Sequence, residues 1–252
     1  MGWWRRAFEP PKGWEEVAAR RLVHFAALDA DERARLGADI GRLLGEKRWE
    51  ASRGFDLTEE IRLTIAAQAA LLILGLDIDG YHDVRSIIVH PTTRVLTGPR
   101  PGPAHGVVTD APFPVIGQAH DRRGPVIIAW DAVARDTRHP ERGHNVVFHE
   151  FAHRLDMLDG ITDGTPPLGS EEANRRWAEV CTPAYERVVA GQSVLRPYAA
   201  TNPAEFFAVA TEAFFCAPGP LAQGRPALYR ALCGFYRQDP AGAGGEPGTD
   251  LP

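Results

Sequence analysis

Asn145-Val146-Val147-Phe148-His149-Glu150-Phe151-Ala152-His153 and Pro203-Ala204-Glu205-Phe206-Phe207-Ala208-Val209-Ala210-Thr211-Glu212 are the two stretches from which the chain is best read. The first contains His-Glu-x-x-His. Histidines at i and i+4 stack on one face of a helix about a turn apart, so both imidazoles can reach one ion. Glu150 follows the first histidine and points to the neighbouring face, within reach of a water on that ion. This is the residue pattern of a zinc helix that activates water for attack on a carbonyl. A shuffled chain of this composition contains such a motif roughly one time in fifty, so chance is a poor explanation. The apolar residues before and between the histidines give the helix a buried back.

A catalytic zinc site needs a third protein ligand and an open position. Asp159 lies six residues past His153, where a glycine turn would have to bring it round, but the turn position is Asp156 and no glycine occurs before Gly160. The second stretch is the other source. It is an apolar helix that carries Glu205 and Glu212 seven residues apart on one face, and a buried carboxylate is costly without a partner. A metal provides one for Glu205. For Glu212, a hydrogen bond to a ligand histidine and an ion pair with an arginine such as Arg154 are both open. Asp156 is expected to orient a ligand histidine from behind. His144 stands five residues before His149, but Gly143-His144-Asn145 reads as the start of the helix, with Asn145 suited to cap it. His82, His120 and His139 have no partner at metal spacing and read as ordinary polar histidines.

Composition narrows the class. Of 252 residues, 44% are hydrophobic and 24% charged, close to the average for a globular chain, which excludes collagen-like, coiled-coil and wholly disordered architectures. A formal net charge of -5 argues against a protein whose main work is gripping nucleic acid. Cys181, Cys216 and Cys233 are far apart and odd in number, so they read as small hydrophobes in a reducing compartment. The start lacks the apolar stretch of a signal peptide, and the longest apolar run, Ile65 to Leu76, is too short to span a bilayer. Trp3 and Trp4 beside Arg5 and Arg6 are expected to pack back onto the protein, not to anchor it. The expected location is the cytoplasm. No glycine-rich phosphate loop, serine elbow or paired-cysteine site competes with the zinc reading.

The pattern along the chain predicts a helix-dominated α+β fold: a small sheet with zincin-type active-site helices and a helical N-terminal part. Helices are expected over Glu15–Phe25, from an Asp29 or Asp31 cap through Leu44, and after Asp56, with Thr58, Glu59 and Glu60 in its first turn, to Gly75; the last is apolar nearly all round and should be central. Short strands are expected at Arg85–His90, ended by Pro91, and at Pro125–Trp130. Residues 98–114 hold five prolines and three glycines and read as a loop. Helical pattern returns at 131–135, 143–158, 170–190, 203–216 and 225–237. The division expected is 1–80 helical, 81–238 a metallopeptidase core and 239–252 a flexible tail, all within one compact unit. Gly124–Trp130, just before the zinc helix, reads either as an edge strand that pairs with an extended substrate or as an interior strand.

The run His149-Glu150-Phe151-Ala152-His153-Arg154-Leu155-Asp156-Met157, with Tyr198-Ala199-Ala200-Thr201-Asn202-Pro203-Ala204-Glu205-Phe206-Phe207, resembles the Mlc titration factor A family of bacterial zinc-dependent peptidases. Gly54-Phe55-Asp56-Leu57-Thr58 and Tyr81-His82-Asp83-Val84 fit its upstream region, and the likeness covers roughly residues 1–238. The metal site also resembles that of the anthrax lethal factor catalytic domain. The resemblance implies one zinc ion per chain held by His149, His153 and Glu205, with Glu150 as general base. It places the family's active-site tyrosine on Tyr198, whose hydroxyl would donate to a developing oxyanion. It implies aminopeptidase-like activity on peptides. It also implies binding to Mlc, the repressor that governs sugar phosphotransferase genes. A rival follows from the second property: a regulatory protein that sequesters such a repressor and keeps zinc mainly for shape. The intact Glu150 speaks for the enzyme, since a structural site needs only its ligands.

Overall fold

The computed structural model describes residues 9–52, 54–76, 81–96, 100–101, 108–109, 113–115, 117–118 and 124–242. Helix α1 (Trp14–Arg21) ends at Leu22, earlier than periodicity suggests, and Phe25 sits instead in a 3-10 turn, edge-on to Trp14 at 6.0 Å between ring centroids. Asp29, not Asp31, caps α2 (Ala30–Glu46). Its Oδ1 accepts from the Glu32 amide at 2.8 Å, while Glu32 Oε2 accepts from the Asp29 amide at 2.9 Å, a reciprocal capping box. Strand β1 (Arg48–Ala51) follows after Lys47 alone. Thr58 caps α3 (Glu59–Ile73), and Ile61 and every residue from Leu63 to Ile73 is buried, as its all-round apolar pattern requires.

The next segment contributes β2 (Ser86–His90), β3 (Arg94–Leu96), β4 (Arg100–Pro101), β5 (Val108–Thr109), β6 (Phe113–Val115), β7 (Gly117–Gln118) and β8 (Val126–Ala129). β3 pairs with β6 and β4 with β5 as short antiparallel ribbons, so the proline-rich stretch read as loop contains strand pairing. The main sheet runs β1-β2-β8-β7, with β1, β2 and β8 parallel and β7 antiparallel to β8. Ile87 and Val89 alternate with half-buried neighbours, and their register partners Val126 and Ile128 point to the same buried face. β8 is therefore interior, paired on one side with β2 and on the other with β7. Of the two readings of Gly124–Trp130, the edge strand fails. Among the described residues, the strand that closes the sheet on that side is β7.

Behind β8 come α4 (Trp130–Asp136) and α5 (Val146–Asp156), and α5 is buried along its whole length against β7, β8, α3, α4 and a later helix. Then follow α6 (Glu171–Val189), α7 (Pro203–Cys216), α8 (Pro218–Gly224) and α9 (Pro226–Tyr236). Trp177 of α6, Phe207 of α7 and Phe235 of α9 meet edge to face, and Tyr236 donates or accepts one hydrogen bond with Thr211 at 2.8 Å. Each fully buried ring of this kind contributes about 1.5–3 kcal/mol. Cys181 and Cys216 are buried, Cys233 is half-buried, and all three are free thiols. No helix among the described residues is long and apolar enough to cross a membrane. Trp3, Trp4, His120 and the tail beyond residue 242 lie outside the described residues.

The turn after α5 is strapped down from two directions. Both oxygens of Asp156, which is fully buried, accept from the Gly164 amide at 2.9 and 3.1 Å, and Trp177 Nε1 donates to the Gly164 carbonyl at 3.2 Å. Gly164 has φ +80, and a Cβ there would stand 2.2 Å from the Pro203 carbonyl oxygen. That glycine lets the chain pass against the first turn of α7. Gly164→Ala is expected to lower unfolding free energy by about 2–4 kcal/mol, because it adds overpacking to left-handed strain. Gly54→Ala, at φ +77 with open space around it, should cost only about 1–2 kcal/mol. Urea unfolding of the two variants checks the difference; equal losses would remove the Pro203 contact from the account.

Candidate metal centre

Helix α5 begins on a set of anionic and amide acceptors. Asn145, its N-cap, accepts from the amides of Val147 and Phe148 at 3.0 and 3.1 Å, and Asp136 Oδ2 accepts from Val146 at 3.2 Å. The Asn145 amide itself donates to Glu212 Oε2 at 2.7 Å. The exposed amides of the first turn are thus satisfied, and two carboxylates face the positive end of the helix. One turn in, His149 and His153 project to the same side, ring centroids 4.8 Å apart.

Helix α7 supplies the carboxylates. Asn202 caps it through a 2.9 Å bond from the Glu205 amide, and Pro203 fills the first helical position. Asn-x-x-Glu is also the pattern in which the glutamate folds back on its own cap, but here Glu205 faces the histidines. Glu205 Oε2 lies 3.0 Å from His149 Nε2 and 3.5 Å from His153 Nε2, and the two Nε2 atoms are 3.2 Å apart. Two turns along, Glu212 Oε1 reaches the other side of the same ring, 2.7 Å from His149 Nδ1. The two glutamates on one helix face thus grip His149 from opposite nitrogens.

Three donor atoms from His149, His153 and Glu205 lie within 4.8 Å of one another. Ligand atoms about 2.0–2.1 Å from a tetrahedral ion sit about 3.3–3.4 Å apart, close to the separations found. The hydrogen bond at Nδ1 holds one proton of His149 on that nitrogen, so it is the Nε2 proton that leaves to free a lone pair towards the cluster. Two imidazoles and a carboxylate form a donor set suited to a divalent ion such as zinc, so the residues fit the group.

The electrostatics point the same way. Burial alone would lower the His149 pKa, but its bonds to Glu205 and Glu212 outweigh burial and raise it to about 10. Burial would likewise raise Glu205 and Glu212; His149 and His153 hold Glu205 far below the ordinary carboxylate range, and His149, Arg196 and the Asn145 amide hold Glu212 down. A buried cluster with this much negative charge calls for a cation. Glu150 is 4% exposed and lies close enough that its charge raises the pKa of both His149 and Tyr198. Tyr198 sits on a 3-10 turn (Pro197–Ala200) with its ring 5.9 Å from that of His149, and its hydroxyl bonds to Glu205. Burial first, and then the Glu205 and Glu150 charges, keep that phenol protonated.

Other expectations meet different partners. Asp159 is exposed and accepts from the Ile161 amide at 2.9 Å, away from the cluster. Asp156 is directed to Gly164, and His153 Nδ1 is buried without a hydrogen-bond partner. Burial pushes Asp156 up to about 6, opposed by the Gly164 bond. Arg154 donates to the carbonyls of Gly124 and Pro125 at 3.0 and 2.9 Å and anchors the approach to β8, so it is not the ion-pair partner of Glu212. That partner is Arg196, which sequence reasoning passed over. The one signal for it is that a buried glutamate calls for a cation, and spacing does not say which arginine answers. His82 and His139 pair with Asp83 and Glu141 at the surface.

Comparison with known proteins agrees with this geometry. A family model described as glucose-regulated metallo-peptidase M90 matches residues 2–237. An uncharacterized protein of Synechocystis is 37% identical over 239 residues, covering 91% of this chain and 85% of its own length. Proteins named Mlc titration factor A are 35% identical in Edwardsiella ictaluri, over 90% of this chain and 87% of that protein, and 32% in Salmonella typhi, over 90% and 86%.

Metal uptake should release protons. A metal-free His149 with a raised pKa is cationic at neutral pH and must lose that proton to bind an ion. Titration calorimetry with zinc chloride in buffers of different ionisation enthalpy should show about one proton released per ion near neutral pH. The same shift stabilises the metal-free fold fully below about 6.5, and that contribution disappears as pH rises through about 10. Zinc uptake without proton release would show that His149 is neutral beforehand.

Proposed function

Because this chain belongs to the glucose-regulated metallopeptidase family M90, we propose that it is a zinc-dependent, aminopeptidase-like enzyme in which His149, His153 and Glu205 hold the ion. The observation that carries this reading is the convergence of three donors and an acid from two facing helices beside a phenol on the turn before the second helix. When bound, zinc acts as a Lewis acid that acidifies water and polarises a carbonyl. Glu150 takes the proton from the attacking water and delivers it to the departing amine. Tyr198 keeps its proton and donates a hydrogen bond to the carbonyl oxygen as negative charge develops there. Glu212 holds His149 in the tautomer that presents Nε2 to the ion. An extended substrate backbone would pair with β7, which among the described residues ends the sheet beside α5.

The relatives named for titrating Mlc support a second reading, in which the chain binds an Mlc-like transcriptional repressor. The net charge of -5 suits sequestering a DNA-binding protein. The two readings separate at one residue. Glu150→Gln should reduce hydrolysis of aminoacyl-4-nitroanilides by about 10²–10⁴-fold while zinc stays bound. Tyr198→Phe should lower kcat by about 10²-fold with KM little changed. Repressor capture by Glu150→Gln protein should equal that of the unmodified chain. If zinc-loaded protein hydrolyses none of the panel yet captures the repressor, the peptidase reading gives way to the binding one.

A further inference from the structure

Arg196 stands outside the reactive group, yet it touches it on two sides. Its guanidinium donates to Glu212 Oε1, the oxygen that also accepts the hydrogen bond from His149 Nδ1. Its Nη1 lies 3.4 Å from His144 Nδ1, and its central carbon lies 5.6 Å from the centroid of the Tyr198 ring. The backbone repeats the link, because the Arg196 carbonyl accepts from Ala199 at 3.1 Å and so opens the 3-10 turn that carries Tyr198. The side chain of Arg196 is 25% exposed and that of Glu212 only 2%, so the guanidinium closes the flank of a carboxylate that has no access to water.

From these contacts we propose that Arg196 is a positioning residue that couples the Tyr198 turn to the Glu212–His149 pair. One planar fork sets the Glu212 carboxylate, which sets the direction in which His149 presents Nε2. The same guanidinium, its central carbon over the Tyr198 ring, keeps that ring at a fixed distance from the imidazole. An arginine serves here and a lysine does not, because an ammonium is a point charge without a flat face to lie against a ring. The kinetic part of this inference rests on the peptidase reading; the metal part does not.

The test is a pair of mutant cycles on the full chain. Zinc affinity is measured by competition with a chromophoric chelator, and kcat and KM on an aminoacyl-4-nitroanilide. Arg196→Met should weaken zinc binding about tenfold and lower kcat about tenfold with KM nearly unchanged. In a Glu212→Gln background the same change should cause no further loss of zinc affinity, and in a Tyr198→Phe background no further loss of kcat. Losses that multiply in both backgrounds would overturn the proposal, as would an unchanged zinc affinity accompanied only by a lower unfolding midpoint. Arg196→Lys keeps the charge and serves as the second variant should Arg196→Met not fold; it should show the zinc and kcat losses in reduced form, and full rescue would count against the proposal. A wild-type chain that binds zinc but hydrolyses nothing would remove the peptidase reading alone, and the zinc cycle would then decide on Arg196.

Discussion

Glu212 is a charged side chain 1% exposed in the middle of an apolar helix, and much of the surrounding arrangement follows from its need for partners. A buried carboxylate left alone costs several kcal/mol, so α7 is held to the register in which this one is satisfied. Three donors answer it: the Asn145 amide at the start of α5, the His149 ring one turn further on, and the Arg196 guanidinium from the turn before α7. A shift of α7 by one residue would take Glu212 out of reach of all three. It would also move Glu205 away from the histidines, because both glutamates ride on the same helix face. The contact that stabilises the packing of the two helices is therefore also the one that assembles the metal centre.

The centre concentrates negative charge where water is scarce. Glu150, Glu205 and Glu212 surround two imidazoles on elements that are buried nearly throughout. In the absence of an ion, protonation of His149 balances part of that charge, which is why its pKa rises although burial alone would lower it. A divalent cation balances more of it and at the right distance. An ion bound at this cluster would add its binding free energy to the stability of the fold. Asp156 contributes from a distance, since its hold on Gly164 fixes the loop that passes under the first turn of α7 at Pro203, two residues before Glu205.

Local features were readable without coordinates because their causes are local. The Asp29 and Asn145 caps lie beside the amides they accept from, whereas Thr58 proves to be the cap of a helix expected to begin two residues earlier; the all-round apolar pattern of Glu59–Ile73 leaves that helix no place but the interior. Strand β1 was not readable. Arg-Trp-Glu-Ala has no alternating apolar pattern, and it is a strand because Trp49 and Glu50 fall in register beside Ile87 and Ile88. The end of α1 at Leu22 was missed as well, since packing of Phe25 on Trp14 overrides the helical period. The fold class and the buried central helix thus came from pattern, while strand order came from pairing across long stretches of chain.

The same division runs through the metal centre. The sequence by itself determined the two histidines and the glutamate between them, because spacing on a single helix dictates which side chains share a face. It also marked Glu205 and Glu212 as carboxylates that an apolar helix cannot bury unpaired. Only the tertiary structure decided what each of them meets: Glu205 the two Nε2 atoms, Glu212 the Nδ1 of the same ring and Arg196 instead of Arg154, Asp156 a backbone amide instead of His153, and β7 instead of β8 at the edge of the sheet. These choices join residues tens of positions apart, and they depend on helix register, loop closure and the desolvation of every competing partner, none of which is encoded in the spacing of one segment.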